Sequence, residues 1–198
     1  MHVVAGEFIS LDGVVQAPGE PGEDTQGGFA HGGWSRPYTD PEVVGGAFDG
    51  AVRTAEALLV GRRTWEAMAR VWPERAGEPL ADRMNSMRKY VVSNTLGPSD
   101  LTWENTVLVP GADLVGRVRD LRATEGGDLL VLGSARLVRT LLAEGMVDEL
   151  ILMRMPVLLG GGKSVFPADG VKRPLELVSS VTARTGTQVC VYRAAAED

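Results

Sequence analysis

The stretch Asp128–Phe166, DLLVLGSARLVRTLLAEGMVDELILMRMPVLLGGGKSVF, carries the pattern on which the fold prediction rests. Its apolar run Leu129–Leu132 is short enough for a buried strand, and the small residues Gly133–Ala135 follow at once. Leucines and valines then recur at helical spacing as far as Gly145, which sits where a helix C-cap is expected. A second apolar run, Leu150–Leu159, ends in a glycine triplet and predicts that the chain returns to the sheet.

The small residues Gly133–Ala135 predict one of two roles at this strand-to-helix turn. Backbone N–H groups at a helix N-terminus point outward and favour an anion, typically a phosphate. Glycine and serine would also let a ligand approach the backbone closely. The alternative is that the small side chains only allow the helix and the sheet to pack tightly. This stretch alone leaves both roles open.

Composition is ordinary for a globular chain of 198 residues, with 44% hydrophobic and 23% charged residues, and we expect one domain with a substantial core. The formal net charge of -6 and the lack of a basic run argue against a nucleic-acid partner. Apolar runs of about ten residues are too short to span a membrane. The N-terminus, MHVVAGEFI, reads as a strand and not as a signal peptide. Cys190 stands alone, so no intramolecular disulfide forms, and we expect a cytoplasmic protein.

Residues 16–40 form a long loop-like segment after the first strand, which we place at His2–Ile9 with a turn at Ser10–Gly13. A loop of this length in a compact domain is usually functional or disordered. Inserted rings favour a lid over a disordered segment; the alternative is that Trp34 and Tyr38 only staple the loop to the core. The inserted ring side chains are those of Phe29, His31, Trp34 and Tyr38.

A second strand-to-helix turn follows the first predicted helix. Asp40–Glu42, Asp-Pro-Glu, has the composition of a helix start, and Leu58–Val60 that of a buried strand. Gly61–Thr64 then joins this strand to a short helix and carries two arginines and a hydroxyl group. Because a guanidinium group forks onto two oxygens, these arginines suit a phosphate. The alternative is a pair of solvent-exposed arginines without a ligand.

The order of elements predicts an α/β fold of three layers, with a central, mostly parallel mixed sheet and helices on both faces. The last strands, Leu175–Val181 and Gln188–Tyr192, are expected to add an antiparallel C-terminal edge. Ligands of such sheets gather at the carboxyl ends of the strands. The polar residues that follow predicted strands are Asp12, Arg62, Ser93 and Ser134.

Several motifs resemble the dihydrofolate reductase-like superfamily. Leu58–Met68, LLVGRRTWEAM, is similar to the dihydrofolate reductase segment in which a Gly-Arg-x-Thr-Trp turn binds the NADPH adenylate phosphates. The chain looks closer still to the reductase (C-terminal) domain of the bifunctional deaminase-reductases of riboflavin biosynthesis. That likeness rests on Ser10–Gly13, on Gly145–Leu150 and on Pro156–Gly162, PVLLGGG. The resemblance covers residues 1–198 and implies a single domain of this fold. The zinc deaminase domain of those enzymes is absent, and we expect no metal.

The resemblance implies an NADPH site that can be carried over residue by residue. The 2′-phosphate side of the adenosine should be held by Gly61, Arg62, Thr64, Ser93 and Asn94. The pyrophosphate and ribose should meet Gly133, Ser134, Ala135, Arg136 and Leu137. Val15 should lie near the nicotinamide. Dihydrofolate reductases also carry an acid early in the first helix, with which neither Glu42 nor Asp49 aligns.

From the resemblance we expect a stand-alone NADPH-dependent reductase that transfers a hydride to a small heterocyclic or carbonyl/imine substrate. It would resemble 5-amino-6-(5-phosphoribosylamino)uracil reductase, and members of this branch are commonly homodimers. The alternatives are dihydrofolate reductase activity and a non-catalytic regulator that binds NADPH without turnover.

Substrate contacts and proton transfer are assigned to the lid and to the first turn. Phe29, Trp34 and Tyr38 would cover the substrate, and Lys163 would meet a substrate phosphate unless it is only solvated. Asp12 would orient the substrate or relay a proton, provided that desolvation raises its pKa towards neutral. The alternative for Asp12 is an Asx-turn, in which its side chain bonds the backbone two residues on.

Overall fold

A computed structural model of the chain describes residues 1–195, so residues 196–198 of the expected domain lie outside the described part. The strands are β1 (His2–Ser10), β2 (Ala55–Gly61), β3 (Arg88–Val92), β4 (Thr106–Val109), β5 (Asp128–Leu132), β6 (Glu149–Met155), β7 (Leu175–Thr182) and β8 (Gln188–Ala194). The α-helices are α1 (Val43–Thr54), α2 (Arg62–Val71), α3 (Pro79–Ser86), α4 (Leu114–Arg122) and α5 (Ala135–Ala143).

The strands form one 8-stranded sheet in the order β4-β3-β2-β5-β1-β6-β8-β7. The first six strands in this order, from β4 to β6, each pair in parallel with their neighbours. Strand β8 pairs antiparallel with both β6 and β7. The mostly parallel sheet with an antiparallel C-terminal edge is therefore confirmed. Strand β1 lies between β5 and β6, and its carboxyl end lies at the edge of the sheet where ligands bind in folds of this kind.

Two hydrophobic clusters cover the two faces of the sheet and confirm the three-layer arrangement. One cluster packs α4 and α5 against Val3, Ala5 and Ile9 of β1. The other packs α1, α2 and α3 against the opposite face, to which Val4 points. This alternation follows from the two-residue period of a strand. Odd-numbered side chains of β1 consequently point towards α4 and α5.

Local sequence signals account for the ends of the helices. The Asp40 carboxylate accepts hydrogen bonds from the N–H groups of Glu42 (3.0 Å) and Val43 (2.7 Å), as the predicted helix start requires. Helix α5 ends in a Schellman motif, because the N–H of Met146 reaches Leu141 O (2.8 Å) and Gly145 adopts a φ of 64°. Both termini are thus built by the residues that predicted them.

The apolar run Leu150–Leu159 contributes only its first part to the sheet. Strand β6 ends at Met155, and the backbone leaves the sheet at Pro156. Proline lacks the N–H group that a ladder position needs, which explains why the apolar run ends as a strand there. The segment Pro156–Gly162 instead forms a loop beside the carboxyl end of β1, since Leu11 N–H donates to Val157 O at 2.9 Å.

Candidate active site

A cavity of about 700 Å³ lies at the carboxyl ends of β1, β2, β3 and β5, where the sequence analysis placed the ligand. Volumes of this size are typical of sites for small molecules and cofactors. Every residue that the resemblance assigned to NADPH lines the cavity: Val15, Gly61, Arg62, Thr64, Ser93, Asn94, Gly133, Ser134, Ala135, Arg136 and Leu137. Three turns that are far apart in sequence therefore surround one space.

The β2–α2 and β5–α5 turns are locked together by Ser134. Its hydroxyl oxygen accepts a hydrogen bond from Gly61 N–H (2.8 Å) and lies 3.0 Å from Thr64 Oγ1. Ser134 has a φ of 64°, a left-handed conformation that non-glycine residues rarely adopt. A Cβ on the neighbouring Gly133 would stand 3.4 Å from Thr64 Oγ1, so the two turns approach each other closely. Serine at this position fastens the cavity wall and remains small.

The third turn is held by the side chains of Ser93 and Asn94. Ser93 Oγ accepts hydrogen bonds from the N–H groups of Thr95 and Leu96, both at 3.1 Å. Asn94 Oδ1 accepts one from Gly111 N–H at 2.7 Å. These bonds shape the backbone that follows β3 and β4, and they keep the polar side chains at the rim of the cavity.

Four charged side chains of the cavity lining take part in ion pairs. Arg62 is half-exposed and bonds Glu66 Oε1 at 2.9 Å, one helical turn further on. Asp24, in the lid, accepts from Arg63 at 2.8 Å and from the Lys163 ammonium group. Burial raises the pKa of Asp24, but hydrogen bonds from Lys163 and from Gln26 N–H outweigh that effect and hold it below its ordinary value. Lys163 therefore fastens the lid to the loop after β6 in this structure.

Trp34 and Tyr38 lie outside the lining of both cavities, contrary to the expectation that they cover the substrate. The Trp34 indole is buried and donates to Gln16 O at 2.8 Å. The backbone carbonyl of Tyr38 accepts from the hydroxyl groups of Thr185 and Thr187, both at 2.8 Å. The Trp34 bond therefore holds segment 16–40 together, and the Tyr38 carbonyl ties that segment to the turn between β7 and β8.

Phe29 and His31 line a second cavity of about 550 Å³ beside the first. Their rings meet edge-to-face with centroids 5.6 Å apart. The glycine triplet that follows Leu159 forms the opposite wall. Gln16, Gln26 and Lys163 line both cavities and so mark the boundary between them. Of the expected substrate residues, the structure brings Phe29 and Lys163 to a cavity.

Asp12 lines neither cavity, and its carboxylate accepts hydrogen bonds from two backbone N–H groups and from one hydroxyl group. Its Oδ2 accepts from the N–H groups of Gly160 (2.7 Å) and Leu159 (3.1 Å), and Ser10 Oγ donates to Oδ1 at 2.5 Å. The bond from Ser10 and then that from Gly160 lower the pKa of Asp12. The raised pKa that a proton relay requires is thus not found. In place of the Asx-turn that was the alternative, the Asp12 side chain bonds the loop after β6, and the Val14 N–H group donates to Ser10 Oγ.

Glu7 is a charged residue of the cavity that the sequence analysis did not name. It lies on β1, is 2% exposed, and lines the cavity of about 700 Å³. Burial raises its pKa well above the ordinary value. The sequence signal was an acid within an apolar strand, HVVAGEFIS. Glu42 and Asp49 on the first helix are exposed and do not line the cavity, so α1 supplies no acid of the kind that dihydrofolate reductases carry.

No group of three or more His, Cys, Asp or Glu side chains within residues 1–195 is arranged to hold a metal ion. Across the same described residues, no helix is both long and apolar enough to cross a bilayer. The site is thus formed by a mostly parallel sheet, and the turns at its edge line one cavity with glycines, hydroxyl groups and arginines. Together with the strand order, this defines the class of α/β proteins with a dihydrofolate reductase-like fold.

The chain belongs to the RibD C-terminal domain family, whose sequence model matches residues 1–189. The Bacillus subtilis protein YyaP (strain 168) is 27% identical over 157 residues, which cover 77% of this chain and 80% of that protein.

Solved structures share the fold. A candidate riboflavin biosynthesis protein from Shewanella sp. PV-4 has a TM-score of 0.73 and 22% identity, covering 99% of this chain and 100% of its own. A pyrimidine reductase-like protein from Corynebacterium diphtheriae has a TM-score of 0.67 and 16% identity, covering 99% of this chain and 92% of its own. Enterococcus faecalis dihydrofolate reductase, complexed with NADP(H), has a TM-score of 0.60 and 16% identity, covering 98% of this chain and 96% of its own. The family and these neighbours support a reductase.

Proposed function

We propose that the protein is an NADPH-dependent reductase that transfers a hydride to a small heterocyclic or carbonyl/imine substrate. The observation that carries the proposal is the convergence of three separate turns, Gly61–Thr64, Ser93–Asn94 and Gly133–Leu137, on one cavity. Backbone N–H groups at the start of α5 and the guanidinium group of Arg62 are the donors that phosphate groups require. The residues present therefore fit a dinucleotide phosphate.

The parts played by protein and cofactor differ. Bound NADPH would supply the hydride. The chain would bind the phosphates through the two strand-to-helix turns, orient the nicotinamide beside Val15, and keep water out with the lid. The Asp24 carboxylate, shared by Arg63 and Lys163, would hold the lid segment against the cavity.

Among specific activities, the cavity favours a ring substrate other than folate. A folate-type site would need an acid on the first helix, and α1 brings none to the cavity. A substrate phosphate, as in 5-amino-6-(5-phosphoribosylamino)uracil, would have to compete with Asp24 for Lys163. A regulator that binds NADPH without turnover remains the second candidate, and loss of absorbance at 340 nm with a panel of pteridines, flavin precursors and small carbonyls separates it from an enzyme.

Arg62 provides the direct test of the cofactor. Charge-assisted hydrogen bonds contribute roughly 1.5–3 kcal/mol, so we expect Arg62→Ala to weaken NADPH binding by about one to two decades. NADH, which lacks the 2′-phosphate, should lose much less. Calorimetric titration of both cofactors measures the difference.

Arg70→Ala is the matched control, because Arg70 is exposed near the other end of the same helix. It should bind both cofactors as the wild type does. Equal losses for NADPH and NADH in Arg62→Ala would show that Arg62 does not recognise the phosphate. A wild-type protein that binds neither cofactor would refute the proposed function.

The proposal also covers the domain organisation, the cellular location and the oligomeric state of the protein. We propose that residues 1–198 act as a single domain, in the cytoplasm, as a homodimer. The exposed apolar strand β7 supports the assembly.

A further inference from the structure

Glu7 is a buried acid without a partner. It lies on β1, is 2% exposed, and its Oε1 has no hydrogen-bond partner within the part of the chain that the structure describes. Leaving a buried polar group unpaired destabilises the folded state. Native proteins keep few such groups, and each calls for an explanation. An explanation that fits its position is a ligand that completes its hydrogen bonds.

The position of Glu7 points to the cavity. As an odd-numbered residue of β1 it faces the same side as Ala5 and Ile9. That side contains Val15 and Leu137, which line the cavity of about 700 Å³ together with Glu7 itself. The acid therefore lies where the sequence analysis placed the nicotinamide end of the cofactor and, next to it, the substrate.

Cations of the cavity do not pair with Glu7. Arg62 is bound to Glu66, and both Arg63 and Lys163 are bound to Asp24. Arg136, the other cation of the lining, is exposed and forms no ion pair with a residue that the structure describes. Burial without a cation keeps the Glu7 carboxyl protonated, because its pKa lies well above the ordinary value. A protonated carboxyl group presents an O–H donor beside a carbonyl acceptor. An amide presents the complementary pair, a carbonyl acceptor beside an N–H donor.

We propose that the carboxyl group of Glu7 holds the amide edge of a ring in the cavity through a pair of hydrogen bonds. Two ligands carry this chemistry: the carboxamide of the nicotinamide and the lactam edge of a heterocyclic substrate. The inference rests on the proposed function. It adds the recognition of a neutral amide edge, a role that no residue of α1 fills.

Two variants test the inference. Glu7→Leu removes donor and acceptor, whereas Glu7→Gln keeps one of each and can form the same pair. The probes are NADPH, 2′-phospho-ADP-ribose, which lacks the nicotinamide, and lumazine, a pteridine with lactam edges. Binding is measured by calorimetry, and thermal melting confirms that each variant is folded. Glu7→Leu should melt no lower than the wild type, since it removes an unpaired buried polar group.

We expect Glu7→Leu to weaken binding of one amide-bearing probe by about tenfold, the loss of two neutral hydrogen bonds. Glu7→Gln should restore most of that loss, and 2′-phospho-ADP-ribose should bind all three proteins equally. A loss confined to NADPH assigns the amide to the cofactor, and a loss confined to lumazine assigns it to the substrate.

The contrary outcomes are distinct. If the wild type binds 2′-phospho-ADP-ribose and NADPH, and Glu7→Leu binds NADPH and lumazine as well as the wild type does, the inference is wrong while the cofactor site stands. If Glu7→Leu loses 2′-phospho-ADP-ribose to the same degree as NADPH, the effect is a general distortion and the inference is again wrong. A wild type that binds none of the three probes overturns both the inference and the proposed function.

Discussion

The carboxylate of Asp12 ties the end of β1 to the loop that follows β6. It accepts hydrogen bonds from Leu159 and Gly160 N–H, and its Oδ1 accepts from Ser10 Oγ. A backbone of glycines has the greatest freedom to move when it is not held. Asp12 therefore restrains the wall of the second cavity, and this position fits a structural role better than proton transfer.

Asp12→Ala removes the acceptor for both N–H groups, and we expect amide hydrogen exchange at Leu159 and Gly160 to accelerate by about tenfold or more. Asp12→Asn retains one acceptor and should exchange at an intermediate rate. If NADPH oxidation occurs with an identified substrate, Asp12→Asn should keep kcat within about threefold, whereas a proton relay predicts a loss of about two to four decades. Exchange is followed by mass spectrometry and turnover by absorbance.

The control for these variants is Asp49→Asn, which changes an exposed acid of α1. Its exchange and turnover should match the wild type. The lowered pKa of Asp12 adds a pH test: its stabilising contribution is present above the ordinary value of 3.8 and is lost as the pH falls through the lowered value. If Gly160 exchanged as fast in the wild type as in Asp12→Ala near neutral pH, the restraint would be contradicted.

Single residues differ in how far the sequence predicted them. Residues that line the cavity of about 700 Å³ were named through the resemblance of their turn motifs to a known family, and the strand-to-helix turns by themselves left phosphate binding open. The role of Trp34 did not follow, because an indole suits both a ligand and a carbonyl such as Gln16 O. Glu7 was missed because the strand pattern does not show which of its faces meets a cavity.

At the scale of elements, Lys89 joins helix α3, strand β3 and the segment before β4. Its side chain is fully buried, and its ammonium group donates to the carbonyls of Asn85 (2.6 Å), Met87 (2.8 Å) and Glu104 (2.9 Å). It also lies 4.5 Å from the centroid of the Trp103 ring. One cation thus donates at once to carbonyls at the end of α3 and to a carbonyl in the segment before β4.

Lys89→Met should destabilise the fold by at least about 2 kcal/mol, because hydrogen bonds from a charged donor are lost and buried carbonyls are left unpaired. For a chain of this length that loss lowers the melting temperature by about 4–8 °C. The measurement is made at pH 7, where the amine is charged, since burial lowers its pKa only to about 8. Calorimetric melting gives the difference.

The matched control is Lys172→Met, which alters an exposed lysine in the loop before β7. That variant should melt within about 1 °C of the wild type, as expected for a surface substitution. Equal melting temperatures for Lys89→Met and the wild type would show that the three carbonyls do not need the cation.

The ends of helices and strands were predicted well where the local sequence determines them, and less well where pairing within the sheet determines them. The end of α5 at Gly145 is a property of the chain itself. The end of β6 was not located, because the run Leu150–Leu159 is mostly apolar and hydrophobicity alone does not mark where pairing stops. Pro156 was the available signal, since a proline cannot donate to the ladder.

For the whole molecule, the outer strand β7 is the surface that a partner would cover. It pairs with β8 on one side only and is exposed along its entire length. Its large apolar side chains remain between 43% and 53% exposed, and they are Leu175, Leu177, Val178 and Val181. Edge strands that carry apolar side chains without protection are sites of association. A second copy of the chain would cover this strand through a symmetric contact.

We therefore expect the wild type to scatter light with about twice the monomer mass of 21.1 kDa. The double variant Leu177→Lys/Val181→Lys places charges in the contact and should return a mass near 21.1 kDa, because burying unpaired cations in an apolar interface is unfavourable. Leu158→Lys is the control: Leu158 is 71% exposed but lies in the loop after β6, and its variant should remain dimeric. A wild-type mass near 21.1 kDa at every concentration would refute the dimer. If only Leu158→Lys dissociated the dimer, the contact would lie at the loop after β6 and not at β7.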